Sequence, residues 1–398
     1  MRAYSASSEE ALRARDLLKD WAGEGFLTEA QYQLMQQETV CDLRRTNIFL
    51  RMVLFLFTLV IVGAGVALFV RQSSMQTTGI LLLVFSVFSY AGAELAVSQA
   101  RLYRHGIEEA LAVCSVGFLC VGMQLAFFEG RVYSPAPHAM QCLVPAAGAI
   151  ASLWIWRRFG LAYSFLAAMI FVVFLPGHWT SSQSARHLIV AAFYAAGLAI
   201  VGSLRPRYRF TYFNNEYSIA EALLWLGIYL AINLQLSSVS LLEQWQLWRG
   251  AITEFSRPFY WTTWVLTWCL PPAALARGLL RKDRFVIAVG AVTAVLTFVT
   301  NKPYLGWPRH TWDPMLLGAL LIGVALFIRR WLAKGLGGIR HGFTARRLSG
   351  KDKTWMSAGA TVIGLVTPNA ITPSPQSESS DVHFGGGDSG GAGASSDF

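Results

Sequence analysis

Residues 47–70 read NIFLRMVLFLFTLVIVGAGVALFV, in which Arg51 near the start is the only charge before Val70. Bilayer hydrocarbon about 30 Å thick is crossed by about 20 apolar residues of helix. Backbone groups in lipid have no water to bond, so a run of this kind is helical by necessity. Working outward, similar stretches recur along the chain, giving ten segments near 52–70, 78–98, 109–128, 138–156, 160–176, 187–204, 218–236, 259–277, 285–301 and 314–330. Pro271-Pro272 falls inside the eighth and is expected to kink or break it, with neighbouring helices satisfying the freed carbonyls. The polar residues before the first segment lack the short apolar core of a cleaved signal peptide, so that segment is expected to act as an uncleaved anchor.

Composition agrees. Of 398 residues only 14% are charged and 54% are hydrophobic, against about 25% charged in an ordinary soluble domain. A chain so poor in charge cannot solvate a surface of its own, which excludes a soluble globular enzyme. The expected fold is therefore all-α, a polytopic integral membrane helical bundle of about ten transmembrane helices. A cytoplasmic amphipathic hairpin over 1–47 precedes the bundle at 48–331, and a basic, then Gly/Ser-rich disordered tail occupies 332–398.

Basic residues orient the bundle. The formal net charge is +10, and with the N-terminus inside, the inner loops are about threefold denser in Arg and Lys than the outer ones. Both termini are then cytoplasmic and the chain is a multi-pass protein of the inner (plasma) membrane. The same residues make anionic lipid headgroups, rather than nucleic acid, the expected partner of the inner loops. In the longest outer loop, Leu241, Trp245, Trp248, Ile252 and Phe255 recur every three or four residues. That spacing fits a helix over 238–257 lying in the outer interface; an extracytoplasmic lid over a cavity is the other reading.

The N-terminal hairpin is punctuated by Ser7-x-x-Glu10 and Thr28-x-x-Gln31, both capping-box patterns, with Gly23 and Gly25 between them. Ala11, Ala14, Leu17, Leu18 and Trp21 would line one face of its first helix. Two short helices bury too little to stand alone. Residues 1–46 should therefore pack on the same chain, on a sister copy, or on a separate protein partner. The segment GEGFLTEAQYQLM (23–35) followed by RTNIFLRMVLFLFTLVIVGAGVALFV (45–70) resembles bacterial multi-span membrane proteins of unknown function. In those, a helical hairpin leads directly into a glycine-containing first span. The resemblance covers about residues 1–70 and implies a prokaryotic inner-membrane protein; it carries no catalytic motif with it.

An acid within the bilayer costs about 2.5–3.5 kcal/mol on insertion scales, which makes it a functional candidate by default. Glu94 in the second segment and Glu221 in the seventh stand out, with Glu108 and Glu109 opening the third. All lie near the cytoplasmic edge, so they are read as an interfacial acidic ring paired with Arg101, Arg104 and Arg209. The sharper alternative is a proton- or cation-binding vestibule. The outer loop NKPYLGWPRHTWDP (301–314) groups Asn301, Lys302, Arg309, His310 and Asp313 among rigid prolines and aromatics, a second candidate for ligand binding. Gln124, Gln141, Asn233 and Gln235 are expected to glue helices together. The cysteines form no C-x-x-C, no H-x-x-x-H is present, and no phosphate-loop, hydrolase or zincin motif occurs. The expectation is thus of no catalytic residues, no metal and no cofactor. Two functions remain: a membrane sensor, scaffold or assembly factor whose soluble ends bind partners, and a secondary transporter for a small or lipid-like solute.

Overall fold

The structure, a computed structural model, describes all residues except 1–2, 24, 40–42, 44–45, 72, 129–140, 209–213, 237–254, 308–309, 311, 336–338, 341–342 and 345–398. It is helical apart from one two-residue ladder. Helices α1 (Ala6–Gly23) and α2 (Glu29–Glu38) precede ten further helices: α3 (Ile48–Val70), α4 (Met75–Ser98), α5 (Ile107–Phe128), α6 (Leu143–Phe159), α7 (Ala162–Phe174), α8 (Gln183–Leu204), α9 (Asn214–Ile232), α10 (Arg257–Arg281), α11 (Arg284–Tyr304) and α12 (Asp313–Ala333). Antiparallel strands β1 (Ile339–Arg340) and β2 (Phe343–Thr344) follow.

Helices occupy all ten apolar segments. Six of them, α3, α4, α5, α8, α11 and α12, are long and apolar enough to cross a membrane. Helices α6 and α7 are shorter, at 17 and 13 residues, α7 continuing into a 3₁₀ turn at Leu175–His178. Helices α9 and α10 are long enough, but α9 opens on Asn, Glu and Ser, and α10 is rich in Trp, Thr and Pro. The double proline does not break α10, which runs unbroken from Arg257 to Arg281. Pro271 frees the carbonyl of Thr267, four residues back, and the Thr297 hydroxyl of α11 lies 3.2 Å from it. Satisfaction by a neighbouring helix is what the sequence predicts; a break is not what forms.

Consecutive helices pair, α4 most extensively with α5 and α10 with α11. Glycine sets both close approaches. A Cβ at Gly79 would overlap the Ala126 backbone, and one at Gly278 would meet the backbone of Ile287. Two cores result. One joins Ala93 and Val97 of α4, Ala112 of α5, and Ile155 and Phe159 of α6, and takes in Tyr4 from the N-terminal segment. The other joins Phe165 and Met169 of α7, Val190, Tyr194 and Val201 of α8, and Ala220, Leu224 and Ile228 of α9. Trp156, at the end of α6, bridges them through ring contacts to Phe165 and Tyr217.

Helix α12 has no buried residue among those described, and Val66 is the one buried in α3. Both present apolar side chains all round, the surface expected of helices solvated by lipid.

The hairpin is capped as read at Thr28, which exchanges hydrogen bonds with Gln31. Its first helix starts earlier than Ser7: the Ser5 hydroxyl accepts from the Ser8 N–H at 3.2 Å. Of the expected apolar face, Leu18 is buried, while Leu17 and Trp21 are exposed. The basic stretch after α12 is not wholly irregular, since β1 and β2 lie within it and Arg340 stacks over Trp331 at 4.4 Å. The helix expected over 238–257 falls almost entirely outside the described residues, as does the Gly/Ser-rich tail.

Candidate functional site

The charged groups converge at one set of helix ends: the starts of α3, α5, α9 and α11 and the ends of α4, α6, α8 and α10. Trp156 connects the two halves there. Desolvation favours pairing the charged groups.

In the first half, Glu94 accepts two bonds from Arg158, from Nε at 2.6 Å and Nη2 at 2.9 Å. The Tyr90 hydroxyl donates to Glu94 at 2.8 Å and itself accepts from Trp154 Nε1. Glu109 is clamped in the same bidentate way by Arg51, and α3 comes close enough because Gly106 (φ +104°) has no Cβ to strike the Arg51 carbonyl. Glu108 differs. It is buried, its Oε1 accepts the His105 N–H at 2.7 Å, and its Oε2 has no partner among the described residues. Over this corner lies the N-terminal segment. The Ala3 N–H donates to the Arg158 carbonyl at 2.9 Å, and Tyr4 packs edge-on against Tyr103. Burial, and secondarily the nearby Glu108 carboxylate, push the Tyr4 hydroxyl well above its usual pKa.

In the second half, Glu221 is 0% exposed and meets three arginines: Arg205 Nη1 at 2.7 Å, Arg277 Nε at 3.1 Å and Arg281 Nη1 at 3.2 Å. Arg205 also contacts Asp283. Asp283 accepts from the Ser218 hydroxyl at 2.6 Å and caps α11 through the Phe285 N–H at 2.9 Å. Four helices are thereby tied by five charges. Beside this cluster, a lateral groove of about 510 Å³ opens between α8, α9 and α10.

Glu94, Glu109 and Glu221 are therefore ion-paired as expected, but not with the expected partners, and Glu108 bonds only to backbone among the described residues. Arg158, Arg51, Arg205, Arg277 and Arg281 do the work assigned to Arg101 and Arg104. Those two instead adopt left-handed backbone in the α4–α5 loop, where Arg104 lies over the Tyr103 ring. Arg209 is outside the described residues. Glu94 and Glu221 belong to separate clusters rather than to one ring.

The 301–313 loop divides. Lys302 pairs with Asp313 and sits over the Trp312 ring at 5.5 Å, and Asp313 also accepts the His310 N–H at 2.9 Å. Asn301 belongs elsewhere: its Oδ1 accepts from Trp264 and Trp268 of α10. Arg309 lies outside the described residues. Among those described, no group of His, Cys, Asp and Glu has the makings of a metal site.

One polar network was only partly foreseen. Asn233 donates to Tyr229 and Thr300, Tyr229 meets Thr297, and the Tyr304 hydroxyl accepts the Leu234 N–H at 2.6 Å. Asn233 is the interhelical glue the sequence suggests. The threonines were invisible because a hydroxyl at helical spacing carries no mark of which helix it will face.

No protein-family profile, curated protein sequence or solved structure matches the chain.

Proposed function

We propose that this chain is a ten-span protein of the bacterial inner membrane, with both termini cytoplasmic, that acts as a membrane sensor, scaffold or assembly factor through its N-terminal hairpin. All ten helices α3–α12 would span, α6 and α7 as short crossings and α9 and α10 with their polar groups buried against neighbours. In this orientation the arginine-clamped acids and the basic inner loops meet the same anionic leaflet. The resemblance of residues 1–70 to hairpin-bearing bacterial membrane proteins points the same way.

The observation that carries the proposal is the seat of the N-terminus. Ala3 bonds the backbone of Arg158, the residue that clamps Glu94, while Tyr4 is buried in the α4–α6 core. The outer face of the hairpin meanwhile leaves Trp21, Leu34 and Phe26 (73% exposed) uncovered. A partner that draws on the hairpin thus acts directly on a half-buried ion pair of the bundle. A photo-crosslinking side chain at Phe26 in intact cells should yield one discrete adduct, to a protein partner or to a second copy, that is lost when Leu34→Asp is added. Adducts to lipid alone would refute the role.

A secondary transporter is the second reading, and Glu108 favours it, as a buried carboxyl with one unpartnered oxygen. Glu94 and Glu221 do not serve that reading, because both are held by arginine. Proton-coupled flux in liposomes that Glu108→Gln abolishes would establish it.

A further inference from the structure

Among the ion pairs of the described residues, three guanidiniums contact two carboxylates, Glu221 and Asp283, one positive charge more than the acids supply. An unbalanced charge in such surroundings is costly unless an anion meets it. The surplus has an address. Arg205 is almost wholly covered and bonded to both acids, whereas the Arg277 side chain is 40% exposed and gives only its Nε to Glu221. Among the described residues its two Nη groups bond to nothing. Nη2 lies beside Gly202 of α8, where a Cβ would sit only 3.2 Å away. The bare backbone leaves room for a guanidinium turned outward.

Arg277 is also the charged member of the lateral groove. Its walls are Ala195, Ala199 and Gly202 of α8, Trp225 of α9, and Ala273 and Ala276 of α10. Leu198 and Leu280 complete it, so apart from Arg277 the walls are apolar. Trp225 closes the groove on the α9 side. Arg277 lies five residues before the α10 cap at Lys282, or about 7–8 Å of helix from its end. With α10 crossing as proposed above and its end at the water boundary, that is about the thickness of one headgroup layer. The groove opens toward whatever surrounds α8 and α10, and around an apolar helix such as α8 that is lipid.

We propose that the α8–α10 groove is a binding site for one anionic glycerophospholipid, its phosphate held by Arg277 and one acyl chain lying along Ala195, Ala199 and Ala276. Headgroup charge completes the balance of the Glu221 cluster, so an occupied site couples leaflet composition to the junction of four helices. The site does not depend on the role assigned to the hairpin.

The test uses the full chain in an uncharged mild detergent, with native mass spectrometry counting retained phosphatidylglycerol or phosphatidylcholine. Phosphatidylcholine has the same phosphate but cancels its charge with its own trimethylammonium, so one phosphatidylglycerol should be retained about tenfold more tightly, through its uncancelled net charge. Arg277→Gln should erase that preference. Ala276→Trp fills the groove without touching the charges, and should expel the lipid while the protein stays monodisperse; it serves if Arg277→Gln fails to fold. Inorganic phosphate at millimolar concentration should not displace the lipid. Equal retention of the two lipids, unchanged retention in Ala276→Trp, or displacement by phosphate alone would each overturn the proposal, the last by leaving an anion pocket with no place for an acyl chain.

Discussion

The two halves of the bundle solve the same problem in different ways. Glu94 keeps a side-chain exposure of 24% and is matched by one bidentate arginine of similar exposure. Glu221 is sealed off entirely and draws in three. One well-aligned guanidinium suffices where some solvent remains, because the carboxylate retains part of its hydration. At Glu221 three donors offset the desolvation penalty, and the extra arginines bring a surplus charge with them. Depth alone does not set the number, since Glu109, with a side-chain exposure of 4%, is held by Arg51 alone; Glu221 also stands where α8 and α10 bring three arginines together, and so ties more helices.

The sharpest way to break this contrast is Glu221→Leu. Removing the acid strands Arg205, Arg277 and Arg281 against one another, and a loss of about 3–5 kcal/mol is expected, as when one partner is removed from a buried pair. The midpoint of thermal unfolding in detergent, followed by tryptophan fluorescence, should fall furthest of all the variants or the protein should fail to accumulate. Next comes packing. Gly79→Val places a side chain into the Ala126 backbone at the most extensive helix pair and should cost about 1–3 kcal/mol through overpacking. Glu94→Gln should be milder, about 1–2 kcal/mol, because the amide still accepts from Arg158 and solvent softens the change. If Glu94→Gln proved as damaging as Glu221→Leu, exposure and donor number would not be what separates these two acids. Least affected should be Gly63→Ala in α3 and Gly318→Ala in α12, where an added Cβ meets nothing. Both should stay within about 0.5 kcal/mol of the parent, and a larger loss would mean that these helices are covered by another chain.

Much of the helical layout was legible beforehand, and the reason is local. Continuous apolar runs announce helices wherever lipid is the solvent, and the Thr28/Gln31 cap is written in four residues. Glu94 and Glu221 were equally visible, since an acid inside such a run contrasts with everything around it. Their partners were not. Arg158 lies 64 residues from Glu94, and Arg277 lies 56 from Glu221; choosing them over Arg101 or Arg104 requires knowing which helices are neighbours. The 301–313 loop shows the same limit at shorter range. Lys302 and Asp313 meet across it, while Asn301, adjacent in sequence, faces the tryptophans of α10 because the helix turns 100° per residue.

Amino-acid order alone determined that the chain is helical and largely apolar, where its helices fall, and that a few charges would have to be buried among them. Those follow from the cost of exposing backbone and charge to oil, which each segment meets by itself. Only tertiary structure decided which arginine answers which acid, that three gather on Glu221 and leave a charge over, and that the N-terminus seats against Arg158. Pairings of this kind depend on distances between segments far apart in the chain, and those exist only once the helices have packed.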